Sequence, residues 1–114
     1  HCEGMLSTEF KHGPLAAITD RYPVIFVSTF NDIPLIISGI NEVTCRGGFA
    51  IAIGPEDENL RANANYLIPV TKTTDEISSI LSVIPLQLIS YYMCLARGFD
   101  PDFPRNLSKT LTVD

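Results

Sequence analysis

Two side chains in this sequence could take part directly in catalysis. His12 stands in EFKHGPLAAI beside a Gly-Pro turn, where an imidazole can act as a general acid or base near neutral pH. It can equally be an ordinary turn residue. Lys109 stands in the weakly charged tail FPRNLSKTLTVD. A buried lysine can attack a carbonyl and form a Schiff base, whereas a tail lysine is more often a solvated charge.

The other candidate groups have structural explanations of equal or greater weight. Glu9 is a possible catalytic carboxylate, or a partner in an ion pair or cap at a helix end. The Thr/Ser cluster of residues 71–79 could bind phosphate at a helix start, but a capping box between Thr73 and Glu76 already explains it. The sequence contains no GxGxxG, P-loop or Ser/His/Asp arrangement, and we expect no cofactor and no metal site.

The three cysteines, Cys2, Cys45 and Cys94, form no CxxC pair. An odd number without metal spacing favours buried, reduced thiols in a cytosolic protein.

Three short apolar runs predict the strands that would position these groups. They cover Val24–Ser28, Phe49–Ile53 and Tyr66–Val70. Nearly continuous apolar residues are typical of parallel strands covered on both faces. Pro69 cannot donate to a ladder, which places the third run at an edge of the sheet.

Helical signals lie between and after these strands. Asn31 or Asp32 can cap a helix that ends at Gly47-Gly48, with an apolar face of Ile36, Ile37, Ile40 and Val43. A long helix is predicted from the Thr73 capping box to Arg97-Gly98, with a kink at Pro85. A first helix over residues 2–10 and a short helical link before the third strand complete an α/β order with right-handed crossovers.

Residues 77–96 carry no charge over about the length that spans a bilayer. Ser, Pro and Gln within the segment, and the lack of flanking anchors, favour a buried core helix over a membrane span.

The bulk composition excludes several classes of protein. The chain has 114 residues, a net charge of −5 and 46% hydrophobic residues, which indicates one globular domain. Its eight Lys and Arg are scattered, so we expect no nucleic acid and no membrane as partner. Three strands make a thin sheet, and the chain opens on HCEGM without an initiator methionine. We therefore expect a fragment of a longer chain.

Three stretches in this order and spacing resemble a known family. They are EFKHGPLAAI (9–18), VIPLQLISYYMCLARG (83–98) and DPDFPRNLSKTLTVD (100–114). Together they resemble the last sugar-isomerase (SIS) domain of the glucosamine-6-phosphate synthase family, the isomerizing glutamine–fructose-6-phosphate amidotransferases. The resemblance implies a three-layer, flavodoxin-like SIS domain with a parallel sheet, lacking its first strand and helix. Residues 1–98 would be the partial SIS domain and residues 99–114 its tail.

The resemblance also implies roles for individual residues. Lys109 matches the lysine that forms a Schiff base with the open-chain ketose. His12 matches the histidine that opens the sugar ring, reaching in from the partner subunit. Leu107 and Ser108 match positions that line the phosphosugar with backbone groups, although the family often has alanine in place of Ser108. Arg105 would anchor the tail, or form a surface ion pair.

The family's remaining machinery lies outside this sequence. The resemblance implies a longer, cytoplasmic, homodimeric parent with a glutaminase and a first SIS domain, and a proton-shuttling glutamate upstream of this chain. We therefore expect the 114 residues alone to be inactive. Two alternatives stay open: a stand-alone SIS isomerase or deaminase-like protein, and a noncatalytic sugar-phosphate binding module.

Overall fold

The fold is a three-stranded parallel sheet with helices between and after the strands. The computed structural model describes residues 2–103. In chain order the elements are α1 (Ser7–Phe10), a 3-10 helix (Pro14–Ala17), β1 (Pro23–Val27), α2 (Ile33–Thr44), β2 (Phe49–Pro55), α3 (Glu58–Asn63), β3 (Tyr66–Val70) and α4 (Asp75–Ala96). The strand order is β1-β2-β3, with Ile25 beside Ile51 and Ile51 beside Tyr66. The predicted α/β class and parallel sheet are confirmed.

The main core lies between one face of the sheet and α2. Ile36, Ile40 and Val43 of α2 are buried against Phe26 and the small side chain of Ala52. These helix residues recur three or four positions apart, so they share one face. The predicted apolar face of α2 is thereby confirmed, with its fourth member, Ile37, only partly buried.

The other face of the sheet is covered by α4. Ile53 of β2 is fully buried, and α4 contacts β2 and β3. Two small side chains one helical turn apart, Ser78 and Ser82, are the buried residues of α4. At β1 the same sheet face is more open, with Ile25 and Val27 exposed. The expectation of strands covered on both faces is therefore wrong for β1, because α4 lies against the other two strands.

The long helix has the predicted extent but not the predicted burial. It contains Pro85 and is followed by Gly98 at φ +73°, a left-handed residue that ends a helix. Its apolar side chains are largely exposed, and Ile80 is 69% exposed. The prediction of a buried core helix is wrong, since only one narrow face of α4 meets the sheet. By length and composition α4 could cross a membrane, a criterion that core helices of soluble proteins also meet.

The other boundaries lie close to the predictions. β3 has the predicted bounds, β1 begins and ends one residue earlier, and β2 continues through Gly54 and Pro55. α1 is shorter than expected and begins at Ser7. After α2 the chain turns at Gly47, with φ +82°. A Cβ on Gly48 would lie 2.5 Å from Cγ1 of Val43, so the close approach of this turn to α2 requires a glycine.

Candidate functional site

The structure places His12 on an exposed turn between α1 and the 3-10 helix. Its backbone N–H donates to the Glu9 carbonyl at 3.0 Å, and its side chain is exposed. Gly13 follows at φ +153° and Pro14 opens the 3-10 helix. A positive φ disfavours residues with a Cβ, and proline suits a first helical position. Part of the His-Gly-Pro pattern is therefore required by the backbone, whereas the imidazole itself is left accessible.

The predicted tail residues lie outside the described part of the chain. Lys109, Leu107, Ser108 and Arg105 fall within positions 104–114. The structure therefore does not test their positions or their distance from His12. The pairing of His12 with Lys109 stays a prediction.

The carboxyl ends of the three strands form a polar rim. The sequence analysis named only parts of it, Asn31 or Asp32 as a helix cap and the Thr/Ser cluster of residues 71–79 as a possible phosphate site. In open parallel sheets this edge is where ligands bind. After β1, Asp32 accepts hydrogen bonds from Ser28 Oγ at 2.9 Å and from the Thr29 N–H at 2.8 Å. Asp32 stands at the N-cap position of α2 but its side chain makes no cap hydrogen bond. Asp32 therefore occupies the predicted N-cap position, but its carboxylate binds the loop that precedes α2 instead of the first turn of the helix.

Two contacts join the loop after β1 to the loop after β3. Lys72 Nζ lies 3.2 Å from the centroid of the Phe30 ring, a cation–π geometry. Asn31 Nδ2 donates to both carboxylate oxygens of Asp75, at 3.2 and 3.0 Å. These contacts hold the β1–α2 loop against the start of α4. The sequence offered one signal for these contacts, since the residues that make them follow predicted strands closely.

The carboxyl end of β2 is closed by a cap and an ion pair. Asp57 Oδ1 accepts from the Leu60 N–H at 2.9 Å and so caps α3. Arg61 donates from Nε and Nη2 to the two Glu56 oxygens, each at 2.7 Å. The hydrogen bond from Arg61, reinforced by its charge, holds the pKa of Glu56 below its ordinary value. Both residues are exposed, so water screens the pair.

The start of α4 differs from the predicted capping box. Thr74 is the N-cap residue and its side chain makes no cap hydrogen bond. The pKa of Glu76 is lowered, first by the Glu76 backbone N–H and then by a hydrogen bond from Thr74. The carboxylate of Glu76 thus interacts with the first turn of its own helix. α4 therefore begins with Thr74 rather than Thr73 at the N-cap position, and the predicted Thr73–Glu76 box does not cap it.

The thiols are more accessible than expected. Cys2 and Cys45 are exposed and Cys94 is half-buried, all three as free cysteines. The prediction of buried thiols is wrong because Cys2 precedes α1 and Cys45 lies at the exposed end of α2. Within residues 2–103 no group of three or more His, Cys, Asp or Glu side chains could hold a metal ion.

The chain is similar in sequence to proteins of one family. The family described as "SIS domain" matches residues 1–97. The isomerizing glutamine–fructose-6-phosphate aminotransferase of Pyrococcus horikoshii is 39% identical over 115 residues, covering all of this chain and 19% of that protein. The enzyme of that name from Saccharomyces cerevisiae is 38% identical over 120 residues, covering 17% of its length. The chain thus spans less than a fifth of the length of these relatives.

A solved structure has the same fold. The C-terminal domain of glucosamine-fructose-6-phosphate aminotransferase from Francisella tularensis aligns with a TM-score of 0.79 and 30% sequence identity. The alignment covers 88% of this chain and 29% of that one.

Proposed function

This chain belongs to the SIS domain family, and from that premise we propose that it is the C-terminal part of an isomerase site that makes glucosamine 6-phosphate. The substrates would be fructose 6-phosphate and ammonia derived from glutamine. The observation that carries the proposal is the alignment with the C-terminal domain of glucosamine-fructose-6-phosphate aminotransferase over 88% of the chain. A glutaminase domain and a first SIS domain, in a longer cytoplasmic parent, belong to the same proposal.

Lys109 is the residue proposed to form the covalent intermediate. Its amine lone pair attacks the carbonyl carbon of the open-chain ketose, water leaves, and a carbon–nitrogen double bond remains. An amine reacts in this way when it is unprotonated, and removal from water favours that form. The uncharged neighbours Leu107 and Ser108 suit a tail that enters a sugar pocket, where their backbone groups would line the substrate.

His12 is proposed to open the sugar ring by acid–base transfer. Ring opening moves a proton from the hydroxyl on the anomeric carbon and returns one to the ring oxygen, which a single imidazole can do. The His12 side chain is exposed, which supports action on a substrate held by a second subunit. The proposal therefore includes a homodimer with shared sites.

Trapping the imine tests the role of Lys109. The full-length protein is treated with borohydride in the presence of fructose 6-phosphate, and the modified peptide is identified by mass spectrometry. We expect the adduct on Lys109, its loss in Lys109→Arg, and its retention in the matched control Lys72→Arg. An adduct on Lys72, or no adduct at all, would contradict the proposed role of Lys109.

The chain of 114 residues is expected to have no synthase activity by itself. It carries Lys109 and His12, but neither a glutaminase nor the proton-shuttling glutamate that the resemblance places upstream. Glucosamine 6-phosphate formation is measured with glutamine and separately with ammonium as nitrogen donor. Turnover by the isolated chain with either donor would show that the proposed division of the site is incorrect.

A further inference from the structure

The chain leaves α4 through a turn that is closed by hydrogen bonds. The Gly98 N–H donates to the Leu95 carbonyl at 2.9 Å, and the Phe99 N–H donates to the Cys94 carbonyl at 3.1 Å. With Gly98 at φ +73°, this pair of hydrogen bonds forms a Schellman motif. The motif ends the helix and turns the chain aside from the helix axis.

Two further contacts hold the residues around and after this turn. The guanidinium carbon of Arg97 lies 5.7 Å from the centroid of the Phe99 ring, which is a cation–π distance. The Asp102 N–H donates to Asp100 Oδ1 at 2.9 Å, the hydrogen bond of an Asx turn. We call residues 97–102 the α4 exit turn.

The exit turn stands a short way before the proposed catalytic lysine. Lys109 comes seven residues after Asp102 in the sequence, and seven residues span at most about 25 Å when fully extended. Without a fixed turn the link would start at Arg97, twelve residues before Lys109. Because the effective concentration of a tethered group falls roughly as the −3/2 power of link length, the longer link lowers it about twofold. Loss of a fixed direction adds to that effect.

We propose that Gly98, in its left-handed conformation, positions Lys109 for imine formation by fixing the direction in which the tail leaves α4. The inference rests on the proposed function of Lys109. It adds a second residue on which the rate of that step depends. Gly98 acts through Lys109, so it is a positioning residue. A reacting amine that is held in the right place reacts faster than one that has to find it.

The surroundings of Gly98 separate backbone conformation from packing. Among the described residues no heavy atom lies within 4 Å of the position that a Cβ would take, so the space for a Cβ is open. A side chain there loses freedom of conformation instead, because the left-handed form of a residue with a Cβ is disfavoured about fivefold to thirtyfold. Asparagine adopts that form more readily than valine does.

Gly47 provides the control for a purely structural role. It also follows a helix in a left-handed conformation, at φ +82°, but its helix, α2, does not lead to the tail. Gly47→Ala removes the same conformational freedom and should lower the thermal stability of the fold. The rate of imine formation per folded molecule should stay within about twofold of the wild type.

The first test measures imine formation in the full-length protein. Protein mixed with fructose 6-phosphate is quenched into borohydride at successive times, and the initial rate of adduct formation on Lys109 is divided by the folded fraction from circular dichroism. We expect this rate to fall about threefold to tenfold in Gly98→Val and to stay within about twofold in Gly98→Asn. The sugar concentration for half-maximal rate should change less than about twofold, since the contacts that hold the sugar are not altered.

A second pair of variants tests the exit turn without changing Gly98. Asp100→Ala removes the acceptor of the Asp102 N–H, and we expect it to slow adduct formation about twofold to fivefold. Asp100→Asn keeps an acceptor oxygen of similar shape and should restore the wild-type rate.

Three results would overturn the inference. One is an initial rate in Gly98→Val equal to that of the wild type. Another is equal slowing by Gly98→Val and Gly98→Asn, which would remove backbone conformation as the cause. The third is equal slowing by Gly98→Val and Gly47→Ala, which would assign the effect to stability. An absence of adduct in the wild type would instead contradict the role of Lys109 itself, and this inference with it, so the two failures are distinguishable.

Discussion

Lys72 and Phe30 lie in different loops, and the Lys72 ammonium sits 3.2 Å from the centroid of the Phe30 ring. The contact crosses the carboxyl edge of the sheet, from the loop after β3 to the loop after β1. Together with the Asn31–Asp75 hydrogen bonds, it joins the two loops that a ligand bound at this edge would contact.

Removing both partners of this contact should show an energetic coupling. In a double-mutant cycle with Lys72→Met and Phe30→Leu, we expect a coupling of about 0.5–1 kcal/mol in the free energy of unfolding, because both groups are exposed. Urea denaturation measures it. Lys72→Arg keeps a cation near the ring and should retain most of the stability. Additive effects of the two substitutions would show that the contact contributes nothing.

Loss of the Asp32 carboxylate should lower the free energy of unfolding more than loss of an ordinary surface carboxylate. Asp32→Ala removes the acceptor of the Thr29 N–H and one of the two acceptors within reach of the Ser28 hydroxyl, the other being the Thr29 carbonyl. We expect a loss of about 1–3 kcal/mol in the free energy of unfolding. Asp32→Asn keeps an acceptor oxygen of similar shape and should cost less. Chemical denaturation compares the two, and equal losses would indicate that the hydrogen bonds are not the cause.

Gly54 should not tolerate a methyl group. A Cβ there would lie 2.9 Å from the Ser28 carbonyl oxygen and 3.4 Å from Leu60 Cδ2. Gly54→Ala should therefore destabilise the chain by about 1–3 kcal/mol, since backbone atoms cannot move aside cheaply. Gly4→Ala is the control, because nothing lies within 4 Å of its Cβ position. Thermal unfolding of both variants tests this, and similar stability would contradict the close approach.

The carboxyl group of Glu56 should titrate below pH 4.5 because Arg61 stabilises its ionised form. A lowered pKa in the folded state gives a contribution to stability that is present above the unfolded pKa and lost as pH falls through the folded pKa. Arg61→Met should raise the pKa of Glu56 towards 4.5, as followed by NMR. The pKa of Glu76, lowered by other groups, should stay where it is. An unchanged Glu56 titration would exclude Arg61 as the cause.

Substitution of His12 should lower activity without lowering stability. His12→Gln changes an exposed side chain, so the free energy of unfolding should stay within about 0.5 kcal/mol. Turnover of the full-length protein should fall about 10²–10⁴-fold if the imidazole performs acid–base chemistry. Gly13→Ala, at φ +153°, should instead destabilise the turn. Full activity of His12→Gln would remove the residue from the catalytic set.

The elements could be predicted from sequence because each has a local cause. Tyr66–Val70 is a short apolar run with the bounds observed, and the periodic apolar residues of α2 pack where expected. The end of α4 follows from Gly98 in a left-handed conformation. Its burial could not be predicted, since the absence of charge in residues 77–96 does not say what covers them.

The candidate site was less predictable because its contacts join distant parts of the chain. The turn at His12 could be recognised from its Gly-Pro sequence. The contact of Lys72 with Phe30 could not, since it depends on how two loops meet after the sheet has formed. The roles of Leu107, Ser108 and Lys109 follow from the family resemblance and stay predictions.

Because of Pro69, a further strand can pair less readily with the β3 edge of this sheet than with the β1 edge. Pro69 lies in β3, which among the described strands neighbours only β2. Proline has no N–H, so a chain approaching the outer side of β3 meets a missing donor in mid-strand. Within β1 the only proline is its first residue, Pro23, so a further strand can join beside β1 far more readily. Any enlargement of the sheet, by covalent neighbours or by self-assembly, is therefore directed towards β1.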